Sequence, residues 1–293
     1  MQAVGSQAAS HLLKVRDNAK KLSKHKAEIF HIMVARGLFV TKRSRGDVCI
    51  TMSFLCARVQ APDADDWKKS CRLVKCMCQT IKLVPRPGVG GVSIVKWHVD
   101  ATHAVHKDCK GQTGAAMTLG EGTICNASTK QKLNARSSAE SKLVGSDDAM
   151  PQLLWINYFL EAQGWSTQDT IVGQDNKSCM LLEKNGKASS SKRTEHVNIR
   201  HFFVADQIQN KELKVVHCPT NEMVADFFTK PLQGCKFKKF RNMIVNIPDD
   251  KEISKKKLKK QTHTSNDSSV GHRSVLETKM KKQKQGLIPA KGQ

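Results

Sequence analysis

The sequence contains four carboxylates that folding could bring close together in space: Asp100, Glu140, Asp175 and Asp226. Asp100 and Asp175 each follow an apolar strand pattern, whereas Glu140 and Asp226 lie in helical segments. Acidic side chains that converge repel one another unless cations neutralise them, and hard oxygen ligands select Mg²⁺ or Mn²⁺. Two such ions about 4 Å apart can activate water and stabilise the leaving 3′ oxygen of a phosphodiester. The four residues are therefore candidate catalytic and metal-binding groups.

Each carboxylate also has a purely structural interpretation. Asp100 ends a strand, and Glu140 completes a capping box at a helix start. Asp175 caps the helix that follows it, although Asn176 serves equally well. Asp226 fits a solvated helix face. Residue types and spacing do not show whether the four converge, so both interpretations stay open at this point.

The elements that must position these carboxylates follow from the spacing of apolar residues. Val95, Trp97 and Val99 alternate with polar residues and predict a strand that ends at Asp100. Pro151 is expected to kink or divide a long helix. Strands are expected at 95–100, 115–119, 123–127, 171–174 and 213–216, and helices at 137–164, 176–182, 197–208 and 223–229. This order predicts a mixed α/β fold with a partly antiparallel sheet.

The charge balance points to a polyanionic partner. The chain of 293 residues has 49 Lys and Arg against 26 Asp and Glu, a formal net charge of +23. Nucleic acid is the first partner to consider and an anionic membrane surface the second, while a basic tail on an ordinary protein is the plainer alternative. No apolar run is long enough to span a bilayer, and no signal peptide is evident. Ten cysteines without regular spacing indicate reduced thiols, in the cytoplasm or the nucleus.

Composition divides the chain into segments around one α/β domain. A Pro- and Gly-rich stretch separates this domain from a helical region before it. The last segment has a net charge of +7 and no aromatic residue, so it buries too little apolar surface to fold alone. The expected segments are a loosely ordered start at 1–25, helices at 26–84, the α/β domain at 92–232, a terminal helix at 233–248 and a disordered basic tail at 249–293.

Six short motifs carry a resemblance to a known family. They are Val99-Asp-Ala, Ser128-Thr-Lys-Gln, Ser137-Ser-Ala-Glu, Gln174-Asp-Asn, Arg193-Thr-Glu-His-Val-Asn-Ile-Arg and Ala225-Asp-Phe-Phe-Thr-Lys-Pro-Leu. In this order and at compatible separations they resemble the ribonuclease H domain of copia-type retrotransposon polyproteins. The resemblance covers residues 92–232 and implies a ribonuclease H-like fold, with a five-stranded mixed sheet flanked by helices.

The resemblance also implies an activity. It is metal-dependent hydrolysis of the RNA strand of RNA–DNA hybrids during reverse transcription, with two Mg²⁺ ions, or Mn²⁺ in their place, and no small-molecule cofactor. Asp100, Asp175 and Asp226 match three of the family's four metal-binding carboxylates, and Glu140 is the candidate for the fourth. The alternative is a catalytically inactive remnant that binds nucleic acid through its charge.

One departure from the family's pattern bears directly on this activity. Family members often have Glu-x-Glu where this chain has Glu140-Ser-Lys142. The second glutamate of that pair is a candidate for the metal ligand in its own right. Lys142 stands in its place here, and an ammonium group at this position repels a metal ion. His217 is a candidate for the loop histidine that many ribonucleases H use as a general base.

Two groups of basic residues are candidates for contacts with the hybrid. Such contacts to phosphates position a substrate without reading its sequence, which suits a nuclease that processes any template. An A-form-like hybrid exposes its 2′-hydroxyls in a shallow minor groove, and these distinguish the RNA strand. The candidate residues are Lys130, Lys132 and Arg136 in the first group and Lys192, Arg193 and Arg200 in the second.

The helical region before the α/β domain resembles the tail of the copia-type reverse transcriptase domain. The resemblance rests on Phe39-Val-Thr-Lys-Arg, the segment 51–59 and Pro62-Asp-Ala-Asp-Asp-Trp-Lys-Lys. The polymerase's aromatic-x-Asp-Asp motif does not occur in the sequence, because Asp65 and Asp66 precede a tryptophan at a helix start. The chain is therefore not expected to polymerise DNA, and the polymerase portion of a reverse transcriptase is a candidate partner.

Overall fold

A five-stranded mixed sheet forms the centre of the molecule. The computed structural model describes residues 5–89, 93–186 and 198–247. The strands lie in the order β5-β3-β2-β6-β7, in which β2, β3 and β5 are antiparallel and β6 and β7 run parallel to β2. Their bounds are Ile94–Thr102 for β2, Gln112–Thr118 for β3, Cys125–Lys130 for β5, Asp169–Gln174 for β6 and Lys214–His217 for β7. Two short strands, β1 at Gly88–Val89 and β4 at Gly120–Glu121, pair separately.

Eight α-helices accompany the sheet in the described part of the chain. Three of them, joined by a short 3₁₀ turn at Gly46–Val48, precede the sheet, and five alternate with its strands or follow them. The helices are α1 at Lys24–Arg43, α2 at Cys49–Cys56, α3 at Ala64–Gln79, α4 at Ser138–Ala162, α5 at Lys177–Asn185, α6 at Asn198–Gln209, α7 at Asp226–Thr229 and α8 at Gly234–Val245. The predicted five-stranded mixed sheet flanked by helices is therefore confirmed.

Alternation along the strands places apolar side chains on both faces of the sheet. Odd-numbered residues such as Trp97 and Met117 pack with one face of α4, which contributes Met150 and Leu153. The even-numbered Ala116 lies in a second cluster on the other face, with aromatic residues of α7 and α8 and with Cys49 of α2. Aromatic packing at the second face includes stacked rings 5.3 Å apart for Phe227 and Phe237. Both faces of the sheet are thus covered.

Helix caps account for several boundaries. Asp63 and Asp66 form a capping box at the start of α3, which confirms that the Asp65-Asp66 pair belongs to a helix start. Ser137 caps α4 by accepting a hydrogen bond from the Glu140 backbone. At α5 the cap is Asn176, which accepts from Cys179 at 3.0 Å. The Asp175 carboxylate is therefore not needed as a helix cap.

Several strand ends, such as that of β2 at Thr102, lie two or three residues from the expected positions, and two helices also differ from the expectation. Pro151 does not divide the long helix, because α4 continues through it from Ser138 to Ala162. Apolar residues on both sides of the proline, Met150 and Leu153 among them, are buried in the same core and so stabilise both halves of the helix. The helix expected at 223–229 is only the single turn of α7, and the residues before it form turns.

The glycine at position 114 permits a close approach of α7 to the sheet. A Cβ atom there would lie 2.7 Å from the Ala225 carbonyl oxygen and 2.7 Å from the Thr229 methyl group. Since backbone cannot move aside cheaply, we expect Gly114→Ala to lower the free energy of unfolding by about 1–3 kcal/mol. Urea denaturation followed by tryptophan fluorescence measures this. Gly5→Ala, where a Cβ meets nothing within 4 Å, is the control, and equal stability of both variants would contradict the contact.

The structure also bears on the predictions about membrane spans, cysteines and the basic residues outside the core. Within the described ranges, no helix has the length and apolar content needed to cross a bilayer. The ten cysteines are all free thiols. The expected basic tail at 249–293 and the candidates Lys192 and Arg193 lie outside the described residues.

Candidate active site

The carboxyl ends of three parallel strands create the edge at which the candidate residues meet. Asp100 lies near the end of β2, and Asp175 directly follows β6. His98 of β2 pairs with Gly173 of β6, and this parallel register, continued by two residues, places Asp100 level with Asp175. In α/β sheets this carboxyl edge is where polar groups from successive strands converge.

Asp226 reaches the same edge from α7. The hydroxyl of Thr229, one turn further along α7, donates to Asp100 Oδ2 at 2.7 Å. Gly114, which pairs with Asp100 across the sheet, leaves the space that this contact requires. The short helix is thereby fixed against the strand, and Asp226 begins the helix beside it, almost completely buried.

Lys142 of α4 lies between two of the aspartates. Its Nζ donates to Asp100 Oδ1 and, at 2.6 Å, to Asp175 Oδ1. The side chain of Lys142 is 9% exposed, and those of Asp100 and Asp175 are 0% and 11% exposed. An ammonium group therefore occupies the position between the carboxylates of β2 and β6.

Two more lysines neutralise the third aspartate. Lys230 forms an ion pair with Asp226 Oδ1 and lies 3.6 Å from Asp100 Oδ2. Lys236 of α8 is 2.8 Å from Asp226 Oδ2. Both lysine side chains are about two-fifths exposed, in contrast to Lys142. The edge of the sheet thus holds three carboxylates and three ammonium groups.

The pKa shifts agree with this arrangement. Burial acts to raise the pKa of Asp100, but the charges of Lys142 and Lys230 and the hydrogen bonds from Lys142 and Thr229 outweigh it and lower the pKa to about 2. Burial acts to lower the pKa of Lys142 and of Lys230, whereas their aspartate partners raise it above its ordinary value. Asp100, Lys142 and Lys230 are therefore charged at neutral pH and pair as ions.

Glu140 forms two hydrogen bonds at the start of α4. Its Oε2 accepts a hydrogen bond from the backbone N–H of Arg136 at 2.8 Å, and its own N–H donates to the Ser137 hydroxyl. The carboxylate thus stabilises the start of α4, but it accepts from Arg136, the residue before the Ser137 cap, and not from Ser137 as the predicted capping box requires. The residue of α4 that reaches Asp100 is Lys142, two positions further along. The assignment of Glu140 as a metal ligand has no support in this geometry and stays only a prediction.

The residues at this edge do not fit a pair of Mg²⁺ ions. Such ions need carboxylate oxygens that are free to bind them and an excess of negative charge. Here Asp100, Asp175 and Asp226 each already bind a lysine ammonium, and the ammonium of Lys142 would repel a divalent cation. Among the described residues, no group of three or more His, Cys, Asp or Glu side chains is arranged to hold a metal ion.

The first group of basic candidates lies at this same edge. The register pairs Lys130 of β5 with Gln112, which in turn pairs with Thr102, two residues beyond Asp100. Lys132 and Arg136 follow in the exposed segment that leads to α4. Lys130 also forms an ion pair of 2.8 Å with Asp108. In the second group, the backbone of Arg200 lies in α6.

Sequence reasoning missed the partners of Asp226. Thr229 and Lys230 follow Asp226 by three and four residues, which is the spacing of neighbours on a helix face. This spacing could have predicted their proximity to Asp226. Lys236 comes from another helix, and no local pattern indicates it. The sequence also gave no sign of a buried Glu183, which accepts from Ser146 at 2.6 Å and whose pKa is raised by burial. His217 ends β7 with its side chain exposed.

Comparison with known proteins adds an independent observation. No protein-family model matches the chain. A retrovirus-related Pol polyprotein from transposon TNT 1-94 of Nicotiana tabacum is 29% identical over 156 residues, which is 53% of this chain and 12% of the relative. The Pol polyprotein from transposon RE2 of Arabidopsis thaliana is 28% identical over 213 residues, 70% of this chain and 14% of the relative. The resemblance to copia-type Pol polyproteins is confirmed.

This Pol-like chain spans only about an eighth of the length of those relatives. The activities of the complete polyproteins therefore reach it only as proposals. Solved structures similar to it include LC11-RNase H1 from compost, with a TM-score of 0.36, 14% identity and coverage of 46% of this chain and 92% of that one. Another is RNase H1 from Halobacterium salinarum, with a TM-score of 0.30, 11% identity and coverage of 47% and 91%.

Proposed function

We propose that this chain is a ribonuclease H-type domain that binds RNA–DNA hybrids along the sheet edge next to Asp100. The observation that carries the proposal is the basic segment formed by Lys130, Lys132 and Arg136 beside that edge. Relatedness to transposon Pol polyproteins supports a hybrid as the ligand. The net charge of +23 provides a long-range attraction to any polyanion.

Binding without hydrolysis is the form of this function that the geometry favours. The sequence predicted metal-dependent cleavage of the RNA strand, with an inactive remnant as the alternative. Cleavage by two metal ions requires carboxylates that are available to those ions. Because Lys142, Lys230 and Lys236 already pair with the three aspartates, the contacts favour the alternative.

The shape of the nucleic-acid duplex is the expected reason for a preference for RNA–DNA hybrids over DNA. A duplex with one RNA strand adopts A-like geometry and displays 2′-hydroxyls in a wide minor groove, which a DNA duplex lacks. Phosphate contacts from lysine and arginine add affinity without sequence preference. We therefore expect a labelled RNA–DNA hybrid to bind more tightly than a DNA duplex of the same sequence at equal salt. Fluorescence polarisation with EDTA present measures both affinities, and equal binding would contradict a hybrid-specific site.

Charge reversal of the basic segment tests the location of the site. We expect the combined variant Lys130→Glu, Lys132→Glu and Arg136→Glu to bind the hybrid at least about tenfold more weakly. Its slope of log K against log salt should fall by about 1–3, since each lost phosphate contact removes about 0.9.

A second triple variant is the matched control for that experiment. Lys20→Glu, Lys24→Glu and Lys26→Glu change the net charge equally, at exposed positions in and before α1. The control should show only the weakening that a change in net charge produces, and its salt slope should change less. Equal losses of affinity and slope in both triple variants would place the site elsewhere.

A further inference from the structure

We call the sheet edge that holds Asp100, Asp175 and Asp226 the aspartate edge. It differs from a metal centre because lysine ammonium groups balance the charge of its carboxylates. Asp100, Asp175 and Asp226 together carry three negative charges, and the three ammonium groups that contact them carry three positive charges. The cluster is therefore close to electrically neutral. Carboxylates that hold divalent cations are instead in excess of nearby positive charge, which is the source of their affinity.

The three lysines are not equivalent. Lys230 and Lys236 are 41% and 40% exposed, so each can swing its ammonium into water at small cost. Lys142 is 9% exposed and bridges Asp100 and Asp175. Its departure would take the bridging ammonium from two nearly buried carboxylates and leave Asp100 with only the more distant and more exposed Lys230, which is strongly unfavourable.

The position of Lys142 on α4 also holds it in place. The helix begins at the Ser137 cap, and Leu143 and Val144, which follow Lys142, are buried. The pKa of Lys142 is raised by Asp100 and Asp175 against the effect of burial, so the group keeps its charge. The ammonium is thus a permanent part of the packed edge.

We infer that Lys142 is a built-in cation that takes the place of a divalent metal ion and excludes such an ion from the aspartate edge. Lys142 is then the single residue that decides whether Asp100 and Asp175 bind a metal. The inference rests on the proposed function only in assigning this edge to a ribonuclease H-type domain, and it does not depend on hybrid binding.

A Mn²⁺ titration of the full chain tests the inference. Electron paramagnetic resonance of free Mn²⁺ gives the bound fraction for the wild type, Lys142→Glu, Lys142→Met and Lys75→Glu. Lys75 is exposed on α3, so its substitution changes the net charge as Lys142→Glu does without touching the edge. Circular dichroism and the thermal transition establish that each variant is folded.

The expected result is at least tenfold tighter Mn²⁺ binding by Lys142→Glu than by the wild type or Lys75→Glu. Lys142→Met should bind more tightly than the wild type, because it removes the ammonium without adding a ligand. Adding Asp175→Asn to Lys142→Glu should abolish the gain. In the variants that gain binding, the transition temperature should rise with Mn²⁺, as for any ligand of the folded state.

Two results would overturn the inference. One is saturable Mn²⁺ binding by the wild type with the same affinity as a Lys142 variant, provided that Asp175→Asn abolishes it. The metal ion would then displace the Lys142 ammonium. The other is a folded Lys142→Met or Lys142→Glu protein that binds Mn²⁺ no better than the wild type. If Lys142→Glu does not fold, Lys142→Met and the wild type decide the question alone. Loss of hybrid binding would contradict only the proposed function, because the titration contains no nucleic acid.

Discussion

Replacing Lys142 with methionine is expected to lower the free energy of unfolding by about 3–5 kcal/mol, the usual cost of removing one partner of a buried ion pair. Methionine keeps much of the length and apolar surface of lysine, so the loss reports the missing charge. Asp100 and Asp175 would remain buried with no ammonium between them. Urea denaturation at pH 7, without divalent cations, measures the change.

Lys236→Met is the matched control for that prediction. Lys236 also pairs with a buried aspartate, but its side chain is 40% exposed and Asp226 keeps Lys230 as a partner. We therefore expect a loss of no more than about 1 kcal/mol, as for other exposed pairs. Equal losses in the two variants would show that Lys142 is not the central counter-charge.

The stability of the protein at acid pH is expected to depend on Asp100. Its pKa is lowered from the ordinary value of 3.8 to about 2, because Lys142, Lys230 and Thr229 stabilise the carboxylate more than burial destabilises it. The folded state then holds the proton less tightly than the unfolded chain. Asp100 consequently contributes stability that is fully present above about pH 4 and is lost as the pH falls toward 2.

Asp100→Asn removes this contribution and isolates it. At pH 7 the variant should be less stable than the wild type by an amount on the order of 3 kcal/mol, since a buried charge pair loses a partner. Between about pH 4 and 2 its stability should fall less steeply than that of the wild type. Urea midpoints at several pH values give both curves. Parallel curves would contradict the ion pairs at Asp100.

The strands could be predicted from the sequence because their signals are local, whereas the three aspartates were selected by the family motifs that contain them. Alternating apolar residues predicted β2, although the strand continues to Thr102, two residues beyond the expected end at Asp100. Asp175 was ambiguous until the structure showed that Asn176 caps α5. The register between β2 and β6 brings Asp100 and Asp175 to one edge, and such pairing between distant segments leaves no mark in either segment alone.

The pairing of the three aspartates with lysines could not be predicted from the sequence, for a different reason. The charge of Lys142 was readable, and its place in a family motif raised the suspicion that it repels a metal. Its contact with both Asp100 and Asp175 depends on how α4 packs across the sheet. Lys236 reaches Asp226 from α8, a helix that the family motifs do not cover. Tertiary packing determined the electrostatics here, and Pro151 was likewise accommodated by packing on both sides.

The most direct test of the account is a combined binding and cleavage assay of the wild-type chain on a labelled RNA–DNA hybrid. Native gels report binding, and denaturing gels report cleavage in Mg²⁺, in Mn²⁺ and in EDTA, with Asp175→Asn beside the wild type. We expect the hybrid to be bound and both of its strands to stay intact in every condition. Cleavage of the RNA strand that is abolished by EDTA and by Asp175→Asn would contradict a lysine-neutralised edge and establish a working metal centre.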